Sequence, residues 1–136
     1  MSEFVDTNVF IRLLAGDDRA KGALCLALFE SAERGAIDLE SSEVVIAEVV
    51  YVLSSRRLYN LPRAEIVRLL QPLIEIRGLR IDHKRSVRSA LDLFGQTNLD
   101  FEDCLTIEHA RRNGCSAIVS YDRDFDAVAG VIRREP

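Results

Sequence analysis

Apolar positions recur at helical spacing along most of the chain, interrupted by short runs that alternate or cluster as strands do. Phe4-Val5 is a short apolar opening, and Asp6-Thr7-Asn8 follows with three residues that favour a helix N-cap. Val9, Phe10, Leu13 and Leu14 then predict a first helix. A second pattern runs from about Asp18 to Arg34 through Ala20, Leu24, Ala27, Leu28 and Ala32, with Gly35 as its stop. Ile37-Asp38-Leu39 alternates like a strand, and Ser41-Ser42-Glu43 reads as a helix start. Val44 to Arg57 continues as a mostly buried helix. Pro62 fits the first turn of the next one, which carries Ile66, Leu69, Leu70 and Leu73 and ends near Gly78. Leu79-Arg80-Ile81 reads as a strand, followed by helices at about Arg85–Gly95 and Glu102–Asn113, the second stopped by Gly114. Ala117-Ile118-Val119-Ser120 is expected as a buried strand and Val131-Ile132 as a last one.

Short strands alternating with helices predict an α/β layered domain with a mostly parallel sheet. No repeat or linker interrupts the pattern, so residues 1–136 are expected to form a single domain. In such sheets, sites lie beyond the carboxyl ends of the strands, which directs attention to the residues after Phe4-Val5 and Ile118-Val119.

Composition narrows the function classes. The chain has 136 residues, 48% hydrophobic and 29% charged, which excludes a disordered or low-complexity polypeptide. Eighteen basic against 22 acidic side chains leave a net charge of −4, so this is not a basic, duplex-coating protein. No apolar run approaches the ~20 residues of a membrane span, and the N-terminus lacks the basic and apolar segments of a signal peptide. Cys25, Cys104 and Cys115 are odd in number and form no close pair, which points to reduced thiols. His83 and His109 stand alone, a poor basis for zinc or haem ligation. A soluble cytoplasmic domain with no membrane association is expected.

The candidate chemistry lies in acidic residues, each of which also has an ordinary structural reading. Asp6 leaves the first strand and opens the first helix, where an N-cap is the plain alternative. Glu48 is the one charge in Val44–Leu53. With apolar neighbours at helical spacing it is expected to be buried, in a site or in an ion pair with an arginine. Asp100-Phe101-Glu102-Asp103 precedes a helix, and Asp103 is either a site residue or part of a capping box. Asp122 and Asp124, in Ser120-Tyr121-Asp122-Arg123-Asp124-Phe125, follow a predicted strand, where turn formation is the alternative and Ser120 could cap the turn. Taken together, carboxylates without cations repel one another, and an oxygen-only ligand set suits Mg²⁺ or Mn²⁺. Acidic clusters holding such ions commonly hydrolyse phosphodiesters.

These stretches resemble a PIN domain, and most closely the VapC-like ribonuclease toxins of toxin–antitoxin pairs. The resemblance rests on Val5-Asp6-Thr7-Asn8-Val9, Ser42 to Leu53 around Glu48, Asp100–Asp103 with Ala110, and Ser120–Phe125. It implies a three-layer fold with a five-stranded, mostly parallel sheet flanked by helices, homodimerisation, and Mg²⁺- or Mn²⁺-dependent endonucleolytic cleavage of single-stranded RNA. It also implies inhibition by a small cognate antitoxin protein. Asp6, Glu48, Asp103 and Asp122 match the family's catalytic, metal-binding acids. Asn8 and Ser120 match its supporting polar residues, and Asp124 a frequent extra acid. Cys104 departs from the family's usual small Ala beside an acid.

With those four carboxylates neutralised by metal, 18 acids remain against 18 bases, so net charge no longer excludes RNA. Arg12, Arg19, Lys21, Arg56, Arg57 and Arg123 are candidates for backbone contact, each equally readable as solvated surface charge. Two other readings compete. An Asp-dependent phosphotransfer domain of the dehalogenase type would want a second Asp two residues after Asp6, where Asn8 stands. A catalytically silent PIN-like binding module would have no need of Glu48 in an apolar helix.

Overall fold

The computed structural model describes residues 1–136 and divides them into two compact units, Met1–Lys84 and Arg85–Pro136. Six helices and parallel strands make it α/β, as the spacing predicts.

In the first unit, β1 (Glu3–Phe4), β2 (Leu39–Ser41) and β3 (Leu79–Ile81) form a parallel sheet in that order, with Phe4 opposite Glu40 and Ser41 opposite Ile81. β2 lies two residues later than its alternating pattern predicts. The ladder sets this: the Glu3 amide donates to the Asp38 carbonyl, the Val5 amide to Glu40, and the Leu39 amide to Gly78. Ser41 is held in the strand by its hydroxyl, which donates to the Val5 carbonyl at 3.0 Å. Ser42 is therefore the cap of the following helix, accepting the Val45 amide.

The helices of this unit are α1 (Thr7–Ala15), α2 (Arg19–Glu33), α3 (Glu43–Ser54) and α4 (Arg63–Ile74). Their inward residues make one core: Phe10 meets Phe29 with ring centroids 5.2 Å apart, and Ile46, Val49, Leu53, Ile66, Leu70 and Ile74 are buried completely. Gly78 enters β3 where a Cβ would collide with the Ala32 carbonyl at the end of α2, so only glycine lets the two backbones pass. α3 ends three residues short of Arg57. Ser55 turns extended and the Leu61 amide returns to the Leu53 carbonyl, reversing the chain.

The second unit holds α5 (Lys84–Gln96) from its second residue onward, α6 (Phe101–Arg112), β4 (Ile118–Val119), a 3₁₀ turn (Arg123–Ala127) and β5 (Arg133–Arg134). Val87, Leu91, Phe94, Phe101, Cys104 and Ile107 are among its buried residues. β4 and β5 pair in parallel, Ile118 opposite Arg133. β5 falls two residues beyond its predicted place because Val128–Val131, with Gly130 at φ 81°, turns the chain first. β4 is not the buried strand expected, since Val119 is 53% exposed. The strands are hydrogen-bonded as sheets of three and two, so the largest sheet is smaller than the five strands expected. β1, β4 and β5 have two residues each, enough for only a few ladder bonds. No helix is long and apolar enough to cross a membrane.

Candidate metal centre

The second unit gathers three carboxylates. Asp103 is the third residue of α6, whose N-cap, Asp100, makes no side-chain capping bond, so the capping box open to this segment does not form. Ser120 follows β4, and its hydroxyl accepts the Asp122 amide at 2.9 Å; Asp122 Oδ1 in turn accepts the Asp124 amide at 2.9 Å. This pair of bonds is the turn-forming arrangement foreseen for these residues. It still leaves carboxylate oxygens facing the start of α6. Asp103, Asp122 and Asp124 each present an oxygen within 4.8 Å of the others.

Asp103 is half-buried, and Asp122 and Asp124 are exposed. Burial holds the Asp103 carboxyl above the usual carboxylate range, and the negative charges of Asp122, Asp100, Asp124 and Glu102 push it the same way. Every charge acting on Asp103 is thus a carboxylate. Arg123, between two members of the cluster in sequence, acts on Asp126. Three hard oxygen donors converging without a counter-charge fit a divalent ion such as Mg²⁺ or Mn²⁺, and they do not fit a soft metal.

The remaining expected ligands belong to the first unit. Asp6 occupies the N-cap position of α1, but its side chain makes no capping bond; the Val9 amide bonds its backbone carbonyl instead. The plain capping explanation for this acid is therefore absent from the geometry. Thr7, next in sequence and nearly buried, donates its hydroxyl to Glu48 Oε2 at 2.9 Å, which ties the Glu48 carboxylate to the start of α1. Asn8 is exposed in the first turn.

The expected burial of Glu48 is corrected: it is exposed. α3 turns Val45, Ile46, Val49, Val50 and Leu53 into the core, and Val44 and Tyr51, 76% and 65% exposed, share Glu48's outer face. An apolar helix does not bury every face, and counting apolar neighbours missed this. Thr7 was singled out only as a cap-favouring residue. Its adjacency to Asp6 was the one available signal of its role.

The seven expected site residues thus fall into two sets. Asp6, Asn8 and Glu48, with Thr7, sit around the start of α1; Asp103, Ser120, Asp122 and Asp124 surround the start of α6 and the turn after β4.

This parallel α/β chain carries acids after β1 and β4 and at the start of α6, and its residues 4–131 match the family described as PIN domain. The chain belongs to that family. It is similar to a VapC ribonuclease of Aquifex aeolicus (strain VF5), 27% identical over 123 residues, which cover 90% of this chain and 89% of that one.

Proposed function

We propose that this protein is a metal-dependent endoribonuclease that hydrolyses phosphodiester bonds of single-stranded RNA, and that it is the toxin of a toxin–antitoxin pair. The observation that carries the reading is the convergence of Asp103, Asp122 and Asp124 in a chain of the PIN-domain family. The similarity to a VapC ribonuclease supports the substrate and, with it, a small antitoxin as partner.

Asp6, Glu48, Asp103 and Asp122 are the metal-holding acids of this reading, with Asp124 as an extra donor. A bound Mg²⁺ or Mn²⁺ supplies charge neutralisation for a phosphoryl oxygen and an acidified water. The protein's own groups prepare that chemistry. Ser120 and the Asp122–Asp124 bond fix the turn, so the carboxylates are preorganised and little reordering accompanies ion binding. Thr7 orients Glu48. The crowding around Asp103 makes the metal-free cluster prone to hold a proton, which a cation displaces. Asn8 offers an exposed amide to a phosphate or sugar oxygen. The family match running through both units supports a single functional domain, and homodimerisation and a cytoplasmic location complete the proposal.

Incubation of a single-stranded RNA with the purified protein tests this. Cleavage appears with Mg²⁺ or Mn²⁺, stops with excess EDTA, and returns when the metal is restored. Full activity in EDTA, in a preparation free of contaminating nuclease, rejects the metal-dependent reading. No cleavage under any metal leaves the silent binding module in its place.

A further inference from the structure

Between α1 and α2 lies a cleft of about 300 Å³ lined by Asn8, Val9, Arg12, Lys21, Leu24 and Cys25. We propose that it is a nucleotide subsite: Arg12 and Lys21 receive a backbone phosphate of the RNA, and Val9 and Leu24 receive its base or sugar. The proposal rests on the ribonuclease reading and adds a second point at which the strand is held.

The cleft is built into the backbone. Gly22 lets α2 pass close to α1, since a Cβ there would lie 3.1 Å from the Arg12 carbonyl. That close pass fixes the floor, and the side chains of both helices rise as walls. The cationic pair stands out in a chain of net charge −4. Arg12 makes a single long ion pair, to Asp17, which leaves its other guanidinium nitrogens for a ligand. Arg12 reaches Asp17 only at 3.5 Å, while that carboxylate takes a 2.6 Å hydrogen bond from the Tyr59 hydroxyl. Asp18, the acid nearest Lys21 in sequence, accepts its backbone amide. Leu24 is 73% exposed, an apolar surface that solvent does not favour and a nucleobase face can cover.

Placement agrees with the chemistry. Asn8 lines the cleft and is two residues from Asp6, and Arg12 lies one helical turn beyond Asn8, about 6 Å along the axis. A strand whose reacting phosphate lies at Asp6 carries a neighbouring phosphate towards Arg12 and Lys21. The mixed lining, with two cations, an amide and two aliphatic side chains, matches a nucleotide better than an acidic peptide, which offers no flat apolar face.

The test measures binding of a fluorescein-labelled single-stranded oligouridylate by anisotropy from low to moderate salt. It uses full-length protein carrying Asp103→Asn to prevent turnover. Added to that background, Lys21→Gln and Arg12→Gln should each weaken binding roughly five- to tenfold at low salt. Each should also lower the slope of log affinity against log salt, and the double variant should lower it by about 0.7, the contribution of one phosphate contact on a single strand. Arg34→Gln, at the far end of α2, should change neither. Unaltered slopes in both cleft variants, or no RNA binding at all, overturn the proposal. So does binding of a labelled oligoglutamate peptide that the cleft variants lose while RNA binding stays intact, because the occupant is then an acidic peptide. Cleavage by the unsubstituted protein with Mn²⁺ is measured in parallel. Its absence refutes the nuclease reading, while the slopes still decide whether the cleft holds RNA.

Discussion

Replacing Asp103 by Asn separates a shared anionic site from an ordinary helix start, because the two predict opposite signs of stability change. Two unit charges at the 4.8 Å outer limit of this cluster repel by about 3.5 kcal/mol at an effective dielectric near 20 and by about 0.9 kcal/mol in bulk water. Asp122 and Asp124 are exposed, so the lower figure governs, giving roughly 2 kcal/mol from the pair together. Against this stands the loss of a favourable charge in the first turn of α6, about 0.3–1 kcal/mol. The metal-free Asp103→Asn protein should therefore be more stable than the unsubstituted one by about 1 kcal/mol, or roughly 3–4 °C in melting temperature at this size. The pH dependence fixes the sign independently. The Asp103 carboxyl is raised in the folded state, so the stability gained from its proton is present at low pH and lost as pH rises through the folded value. The advantage of the Asn protein should be small near pH 4 and full by pH 8. Mn²⁺ at 100 times its dissociation constant should stabilise the unsubstituted protein by about 2.7 kcal/mol and the variant much less. Thermal melts at the two pH values, with EDTA or Mn²⁺, provide the readout. A lower melting temperature for the metal-free variant at pH 8, together with no Mn²⁺ shift in either protein, would refute the reasoning.

Other expectations follow from single contacts. Thr7→Val removes the hydroxyl that orients Glu48 and should cost roughly tenfold in kcat, with the melting temperature nearly unchanged; an unaltered kcat means Glu48 needs no such support. Gly78→Ala sets a methyl against the Ala32 carbonyl and should destabilise by about 2 kcal/mol or more, read from urea unfolding. Arg133 grips Asp126 through Nε at 3.0 Å and Nη2 at 3.2 Å, and that hydrogen bond holds the Asp126 carboxyl below its ordinary value. Its contribution is therefore present above the usual Asp pKa and lost as pH falls through the folded one, so Asp126→Asn should flatten the acid limb of a melting-temperature profile.

How far the sequence carried the argument depended on the kind of signal. β3 was legible to the residue, because Leu79-Arg80-Ile81 alternates and both apolar members are buried. Helix positions followed from periodicity, while their ends moved by a few residues wherever hydrogen bonds outside the helix decided them. Ser41 is the clear case: its type suits a cap, yet the Val5 carbonyl recruits it into β2. The two-residue strands β1, β4 and β5 were legible in kind but not in pairing, since ladder partners lie far apart in sequence and leave no local mark. At the site, acids at strand ends and helix starts were readable because the chain reverses there. Glu48 stood out for its expected burial, yet it is exposed, and its tie in the structure is a hydrogen bond from Thr7, 41 positions away. The Arg12–Lys21 cleft depends on two helices lying side by side and has no signature in either segment alone.

Cleavage of a single-stranded RNA in Mn²⁺ by four proteins prepared side by side is the most direct measure of the central claim. They are the unsubstituted chain, Asp6→Asn, Asp103→Asn and Asp38→Asn, the last an exposed acid outside every candidate motif. The account predicts that Asp6→Asn and Asp103→Asn lose cleavage by about a hundredfold or more while remaining folded, and that Asp38→Asn cleaves as the unsubstituted protein does. Wild-type cleavage by folded Asp103→Asn, or equal loss in all three variants, contradicts it.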